Sequence, residues 1–259
     1  MAIAPNPSEI FRRAVKEGER RLDQSLLELT ATGFIAGFTI VFGIVALGIV
    51  HALVGPGHDG VATIGGALVF GVGVVFLVVG RAELFNENFY EPAATVFEEW
   101  APGKLPRLAR LWSVTFVLNL AGGAFFAAIL SIEGVLPDGT GHALNRVAEE
   151  IVRQEALTAF VKAVAGGALV ALLSFLLEAV NHIGSRIFLA LSVGFLLALG
   201  PFAHVAVAVL HVFFGLLLGA QADLESLFGT MAIATAGNIV GGIGLTTFMH
   251  IAQAKGARE

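Results

Sequence analysis

Apolar residues in this chain come in long blocks instead of alternating with polar ones. Six blocks stand out, at residues 26–54, 61–80, 111–132, 157–180, 187–219 and 228–251. Each reaches the roughly 20 residues that a helix needs to cross a hydrocarbon core about 30 Å thick. The fifth is too long for one span and is interrupted by Gly200-Pro201. Pro201 has no N–H to give a helix, and lipid tolerates such a break only where protein or a water-filled cavity satisfies the freed backbone groups. The second block runs into Arg81-Ala82-Glu83-Leu84-Phe85-Asn86-Glu87-Asn88, which is polar in alternation, and then into a short apolar stretch at 89–100 expected as a half-helix. The pattern predicts an all-α membrane protein with six transmembrane helices, the second and fifth of them broken.

The polar segments sort into caps, turns and loops. A basic arm, 1–25, carries Arg12, Arg13, Lys16, Arg20 and Arg21 on a stretch expected to be helical. It lacks the long apolar core and cleavage site of a signal peptide. Residues 55–60 form a turn, Pro102 and Pro106 bracket a basic loop, residues 133–156 are an acidic connection, and 181–186 and 221–226 are short loops. Six spans leave both termini on one side. The arm, the Lys104 loop with Arg107 and Arg110, Arg186, and the tail at 253–259 hold 11 of the 15 lysines and arginines; the opposite face holds Arg146 and Arg153. By the positive-inside rule both termini are expected in the cytoplasm of a cell or inner membrane, and the acidic connection outside.

The halves of the chain resemble each other. The third block contains Asn119-Leu120-Ala121-Gly122-Gly123 and the sixth Asn238-Ile239-Val240-Gly241-Gly242, an offset of 119 residues. The same offset carries His204 onto Phe85, so the two breaks correspond. Two copies, 26–132 and 157–252, therefore each hold a broken middle helix and an Asn-x-x-Gly-Gly third helix. Three spans per copy is an odd number, so the copies cross the membrane in opposite senses. Inverted repeats with paired broken helices are a transporter or channel architecture.

Composition agrees with the pattern. Hydrophobic residues make up 56% of the chain and charged residues 14%, with mean hydropathy +0.85; a soluble domain has about 25% charged residues. The 32 glycines suit close helix approach. The absence of cysteine excludes disulfides, thiolate metal sites and thiol nucleophiles. No basic patch exceeds the N-terminal arm, which argues against nucleic acid despite a net charge of only −5. There is no His-Glu-x-x-His, no Gly-x-Ser-x-Gly and no P-loop, so an enzyme is not expected, nor a resident metal or cofactor.

Within this frame His204 is the leading functional candidate. An ionisable side chain at membrane depth marks a functional position by default; the alternative is a histidine hydrogen-bonded within a helix bundle. Leu84, Phe85 and Phe202 are candidates for apolar constrictions that gate by dewetting, or for ordinary core packing. Arg81 and Glu83 read first as an ion pair holding the second break and second as part of an electrostatic funnel. His211 lies seven residues after His204, on a similar helix face about two turns away, and is expected at an interface or vestibule.

Glu83-Leu84-Phe85 before a polar loop, Phe202-Ala203-His204 in a broken fifth span, and Gly237-Asn238-Ile239-Val240-Gly241-Gly242 in the sixth resemble the formate/nitrite transporter family. The resemblance implies an aquaporin-like protomer in a homopentamer, with a pore through each protomer. It implies as partners small monovalent anions, such as formate, nitrite, hydrosulfide or acetate, and protons linked to their passage. Three positions depart from the family pattern. Ala203 stands where Gly-Phe-Glu-His has its Glu, Ala208 where an Asn follows the His, and Asn86 where a loop threonine is common. The Asn usual in the fourth span has no counterpart among residues 167–171, and the basic residue expected before that span is Arg153 or Lys162. A non-conducting scaffold or sensor that retains the fold is therefore the alternative reading.

An anion pore has a use for a lone histidine between apolar walls. A bare anion pays heavily for desolvation, and a proton donor at the narrowest point lets a less charged species cross. Histidine suits the task because its charge changes near neutral pH. Half-helix N-termini at the breaks add fixed positive partial charge. Asn86, Asn119 and Asn238 are placed to orient the imidazole or the ligand; for Asn119 and Asn238 plain interhelical hydrogen bonding is the equal alternative. Lys162, with Arg81 and Glu83, is a candidate vestibule charge.

Overall fold

The computed structural model describes residues 5–98 and 102–257, and among them every regular element is helical. The apolar blocks become α2 (Leu26–Val54), α3 (Asp59–Gly80), α5 (Leu105–Leu130), α7 (Ala156–Ala179), α8 (Ile183–Leu199), α9 (Val205–Leu218) and α10 (Leu224–Ile239), which runs through a π-helical stretch, Val240–Thr247, into α11 (Phe248–Gly256). The remaining helices are α1 (Pro7–Leu22), α4 (Glu91–Phe97) and α6 (Thr140–Val152). Among the described residues five helices are long and apolar enough to cross a membrane; α8 and α9 are shorter and together make the broken fifth span. Trp100, at the end of the expected half-helix, and Arg258 of the basic tail lie outside the described residues.

Local chemistry sets the ends of these elements. Ser25 caps α2 by accepting from the Glu28 N–H at 3.1 Å, and Asp223 caps α10 by accepting from the Ser226 N–H at 2.8 Å. Helix α3 ends at Arg81, which adopts the left-handed conformation (φ 54°) that bulky residues seldom take. The acidic connection is not plain loop: α6 folds its Ala143, Leu144 and Ala148 against the ends of α2 and α9.

Large apolar side chains such as Leu27, Leu53, Leu157, Phe188 and Met249 face outward. This is how helices that are apolar all round distribute themselves when lipid or a neighbouring protomer covers them.

The two copies pack in the same way. The Gly37 Cα lies against the Asn119 carbonyl and the Gly167 Cα against the Asn238 carbonyl, so close that a Cβ has no room at either. Gly122 meets the Phe34 carbonyl as Gly241 meets that of Val164. First and fourth spans thus correspond at an offset of 130 residues, third and sixth at 119. Helices α3 and α8 cross at Gly71 and Gly194, where the Cβ-less faces touch.

The molecule has two distinct ends. At one end α1 lies across α4, with Gly18 against the Glu91 carbonyl and Thr95 Oγ1 donating to the Val15 carbonyl at 2.9 Å. At the other, α6 is tied to the α9–α10 turn by Asn145 Nδ2 donating to the Leu218 carbonyl at 2.9 Å.

Candidate functional site

Each break is held by the asparagine of the third helix in its copy. The Phe85 N–H donates to Asn119 Oδ1 at 2.8 Å, while Asn119 Nδ2 donates to the Gly33 and Glu83 carbonyls at 2.9 and 3.1 Å. In the second copy the Val205 N–H donates to Asn238 Oδ1 at 2.8 Å, while Asn238 Nδ2 donates to the Ala163 and Ala203 carbonyls at 2.6 and 2.8 Å. Backbone groups freed by the breaks would be orphaned in hydrocarbon; these two amides satisfy them.

The hydrogen bonds also correct the repeat. They pair Phe85 with Val205 and Glu83 with Ala203, an offset of 120 residues, so His204 corresponds to Leu84 and not to Phe85. The first copy has one more residue between its break and its asparagine, which the Asn-x-x-Gly-Gly match alone does not reveal.

Asn86 joins the two copies, its Nδ2 donating to Asn238 Oδ1 at 2.7 Å. Asn238 thereby makes four hydrogen bonds, the full capacity of its amide as drawn here. Phe85 packs edge-on against Phe89 and Phe116, in a buried cluster beside the break.

His204 is the N-cap of α9 and is 4% exposed. Neither ring nitrogen has a hydrogen-bond partner among the described residues. The ring lines a cavity of about 420 Å³ that extends to α6 and includes Phe202, Lys162, His51, His211 and Glu150 in its walls. His204 also borders a void of only about 10 Å³, lined with Leu84, Phe70, Val74, Leu197 and Glu87. A void of that size holds at most about one water, and its apolar residues, Leu84 among them, form a plug next to His204.

The structure therefore brings His204, Phe202 and Lys162 to one cavity and Leu84 to the plug behind it. Phe85, Asn119 and Asn238 lie outside both linings and hold the breaks. Arg81 and Glu83 do not form the expected pair. The Arg81 side chain, 70% exposed, follows a left-handed backbone and, among the described residues, comes within ion-pair range of Glu17 alone, at 4.0 Å. Buried Glu83 instead receives Arg20 at 2.8 Å and Gln24 Nε2 at 3.2 Å.

That contact belongs to a charged cluster under α1. Arg21 donates to the Glu87 carbonyl at 2.9 Å and to Asn88 Oδ1 at 3.2 Å, and lies 3.6 Å from Glu91. Burial pulls the Arg21 guanidinium toward neutrality, but the charges of Glu91, Glu83, Glu17 and Glu87 outweigh it and keep the group firmly protonated. Burial likewise pushes Glu17 upward, and hydrogen bonds and charge from Arg20 and Arg21 override it and hold the carboxyl below its ordinary value. From sequence the arm is a basic stretch expected to be helical, with no partners assigned to its arginines. The sequence signal for docking was Gly18 and the Ile10, Phe11, Ala14 stripe, which α1 buries against α4, α7 and α11. Glu87, Phe70 and His51 are also lining residues that sequence reasoning passed over; Glu87 stood in a run of polar residues without a mark of its own.

Comparison with known proteins supplies the name of this architecture. The family model described as "Formate/nitrite transporter" matches residues 8–252. The chain belongs to the formate/nitrite transporter family. Its relatives include "Inner membrane protein YfdC" of Escherichia coli, 23% identical over 92% of this chain and 76% of that one. "Uncharacterized transporter YrhG" of Bacillus subtilis is 30% identical over 47% of this chain and 45% of that protein. Among solved structures an "FNT family ion channel" superposes with a TM-score of 0.79 at 17% identity, covering 94% of this chain and 98% of its own. A "Pentameric formate channel with formate bound" superposes at 0.67 and 20% identity, covering 90% and 96%. The resemblance read from the two breaks and the Asn-x-x-Gly-Gly helices is thus the family itself, with its all-helical multi-pass membrane fold.

Proposed function

We propose that this protein conducts small monovalent anions of the formate, nitrite, hydrosulfide or acetate kind, with His204 exchanging a proton with the species that crosses. The observation that carries the reading is the position of His204. It is a buried imidazole with two unpartnered nitrogens, at the inner end of a cavity and against an apolar plug. A bare anion arriving there gains a hydrogen bond or a proton before it meets Leu84 and Phe70. Lys162 at the cavity wall raises the local concentration of anions. Ala203 and Ala208 bring no polar side chain to the histidine, so size and hydrogen-bond fit at the plug set the choice of anion.

The assembly proposed is a homopentamer, by family membership and by the outward apolar surface of the isolated protomer. The end bearing α1 faces the cytoplasm and the cavity opens outside, from the lysine and arginine distribution. In domain terms the arm, 1–25, and the tail, 253–259, are cytoplasmic, the repeats are 26–132 and 157–252, and 133–156 is the external connection.

The test is flux. Purified protein in liposomes is given formate, nitrite, acetate or hydrosulfide gradients while internal pH is followed. Movement of at least one anion above empty liposomes is expected. Movement of none, at pH values on both sides of neutral, favours the scaffold reading. Single cysteines on this cysteine-free chain test the orientation: one at Ala257 stays unlabelled by an impermeant thiol reagent outside intact cells, and one at Asp138 reacts.

A further inference from the structure

Beyond His204 the cavity holds a second buried imidazole that the reading above leaves without work. His211 is 4% exposed, lines the same cavity and sits on the same helix, α9. Its Nδ1 lies 3.0 Å from the Val207 carbonyl. A carbonyl only accepts, so Nδ1 carries the hydrogen and the tautomer is fixed by the helix's own backbone. In the neutral ring Nε2 is then a bare acceptor, and it has no partner among the described residues. A buried acceptor left unmet is costly, so the site suits a donor that arrives from the cavity.

We propose that His211 forms a second ligand position in the vestibule, which takes a small weak acid in its protonated form through an O–H···Nε2 hydrogen bond. The proposal rests on the reading of this cavity as a transport vestibule. An oxyanion such as formate, nitrite, nitrate or acetate has no acidic hydrogen to give and gains nothing from a lone pair; an undissociated oxyacid does. The walls of the cavity suit a neutral guest. Phe70, Leu47 and Val147 supply apolar contact, and Thr230 of α10 a neutral hydroxyl. The charged or titratable groups facing the cavity are His51 of α2, Glu150 of α6, Lys162 of α7 and His204 at the start of α9. Glu150 and Lys162 are of opposite sign, and neither makes a hydrogen bond or ion pair to His211 among the described residues. His211 thus favours acids that can be protonated over anions that cannot, one step before His204.

Two substitutions separate the nitrogens. His211→Asn places an amide NH where Nδ1–H stands, keeps the bond to Val207 and removes the outer acceptor. His211→Gln carries an acceptor out to the Nε2 position. Acetate and nitrate flux into liposomes is measured for both and for the wild type. Expected for His211→Asn is a fall of about five- to tenfold in acetate flux relative to nitrate, the value of one hydrogen bond, with His211→Gln close to wild type. An unchanged acetate-to-nitrate ratio in His211→Asn overturns the proposal. A second measurement does not depend on transport or on the variants. In ¹⁵N-histidine-labelled wild-type protein at pH 5, acetate should shift one Nε2 resonance from its unbonded position, and nitrate should not. No acetate-dependent shift, even where flux is normal, means that Nε2 meets only water and refutes the site; a shift without any flux keeps it and refutes the channel reading.

Discussion

Replacing Asn238 by alanine should do more damage than any other single polar deletion in the membrane interior. The amide joins α10 to the second break, to α7 and, through Asn86, to the first break. With alanine, the Val205 N–H, the Ala203 carbonyl and the Asn86 amide lose a partner together. The Ala163 carbonyl, inside α7, is less affected because it keeps its own helix as a partner. An unmet buried group costs about 1–3 kcal/mol, whereas hydrogen bonds deleted in membrane proteins average about 0.6 and reach about 1.7 kcal/mol. The Val205 N–H belongs to a helix first turn with no intrahelical acceptor, so the upper part of the membrane range applies, and three groups come to roughly 2–5 kcal/mol. At about 2–4 °C per kcal/mol for a chain of this size, the apparent melting temperature drops by roughly 4–20 °C. Asn119→Ala frees only the Phe85 N–H and the Glu83 carbonyl outside a helix, so its fall is smaller. Size-exclusion of heated, detergent-solubilised oligomer measures both. If Asn238→Ala melts with the wild type, or above Asn119→Ala, the breaks are held by something other than these amides.

Further outcomes follow from the packing and the charges. Gly241→Ala puts a methyl into the Val164 carbonyl and Gly37→Ala one into that of Asn119, and both should lose folded oligomer on solubilisation, while Gly244→Ala, in open space, should not. Arg21→Met leaves Glu91 without its buried partner, at about 3–5 kcal/mol, while Glu83 keeps Arg20, and is expected to release α1 to trypsin several times faster. Glu17 has a folded pKa below its ordinary 4.5, so its contribution to docking α1 is complete above that value and is lost as pH falls through the lowered one. Protease protection of α1 followed against pH should show that acid limb, and Glu17→Gln should flatten it.

The transmembrane plan was legible because lipid demands long apolar blocks, and a Gly-Pro interruption inside one has few structural explanations. His204 stood out for the same reason. The inverted repeat was legible from Asn119 and Asn238, but its register was not, since the copies differ by one residue between break and asparagine. The docking of the arm was not legible because the partners of Arg20 and Arg21, which are Glu83, Glu87 and Glu91, lie more than sixty residues away, and only the crossing of α1 over α4 at Gly18 brings them together. Arg81 and Glu83 looked paired by proximity in sequence, and the left-handed residue between α3 and the break sends them apart. His211 carried no signal that its outer nitrogen lacks a partner, because that depends on which way the ring turns on α9.

The central claim is that His204 exchanges a proton with the species that crosses. It is tested by formate flux into liposomes across pH 5–8, compared between wild type and His204→Asn with melting temperature recorded on the same samples. Asparagine is a good N-cap, so α9 should start as before and stability should hold. An altered pH dependence of flux at unchanged melting temperature is expected. A pH profile identical to wild type, with the oligomer merely less stable, would contradict it.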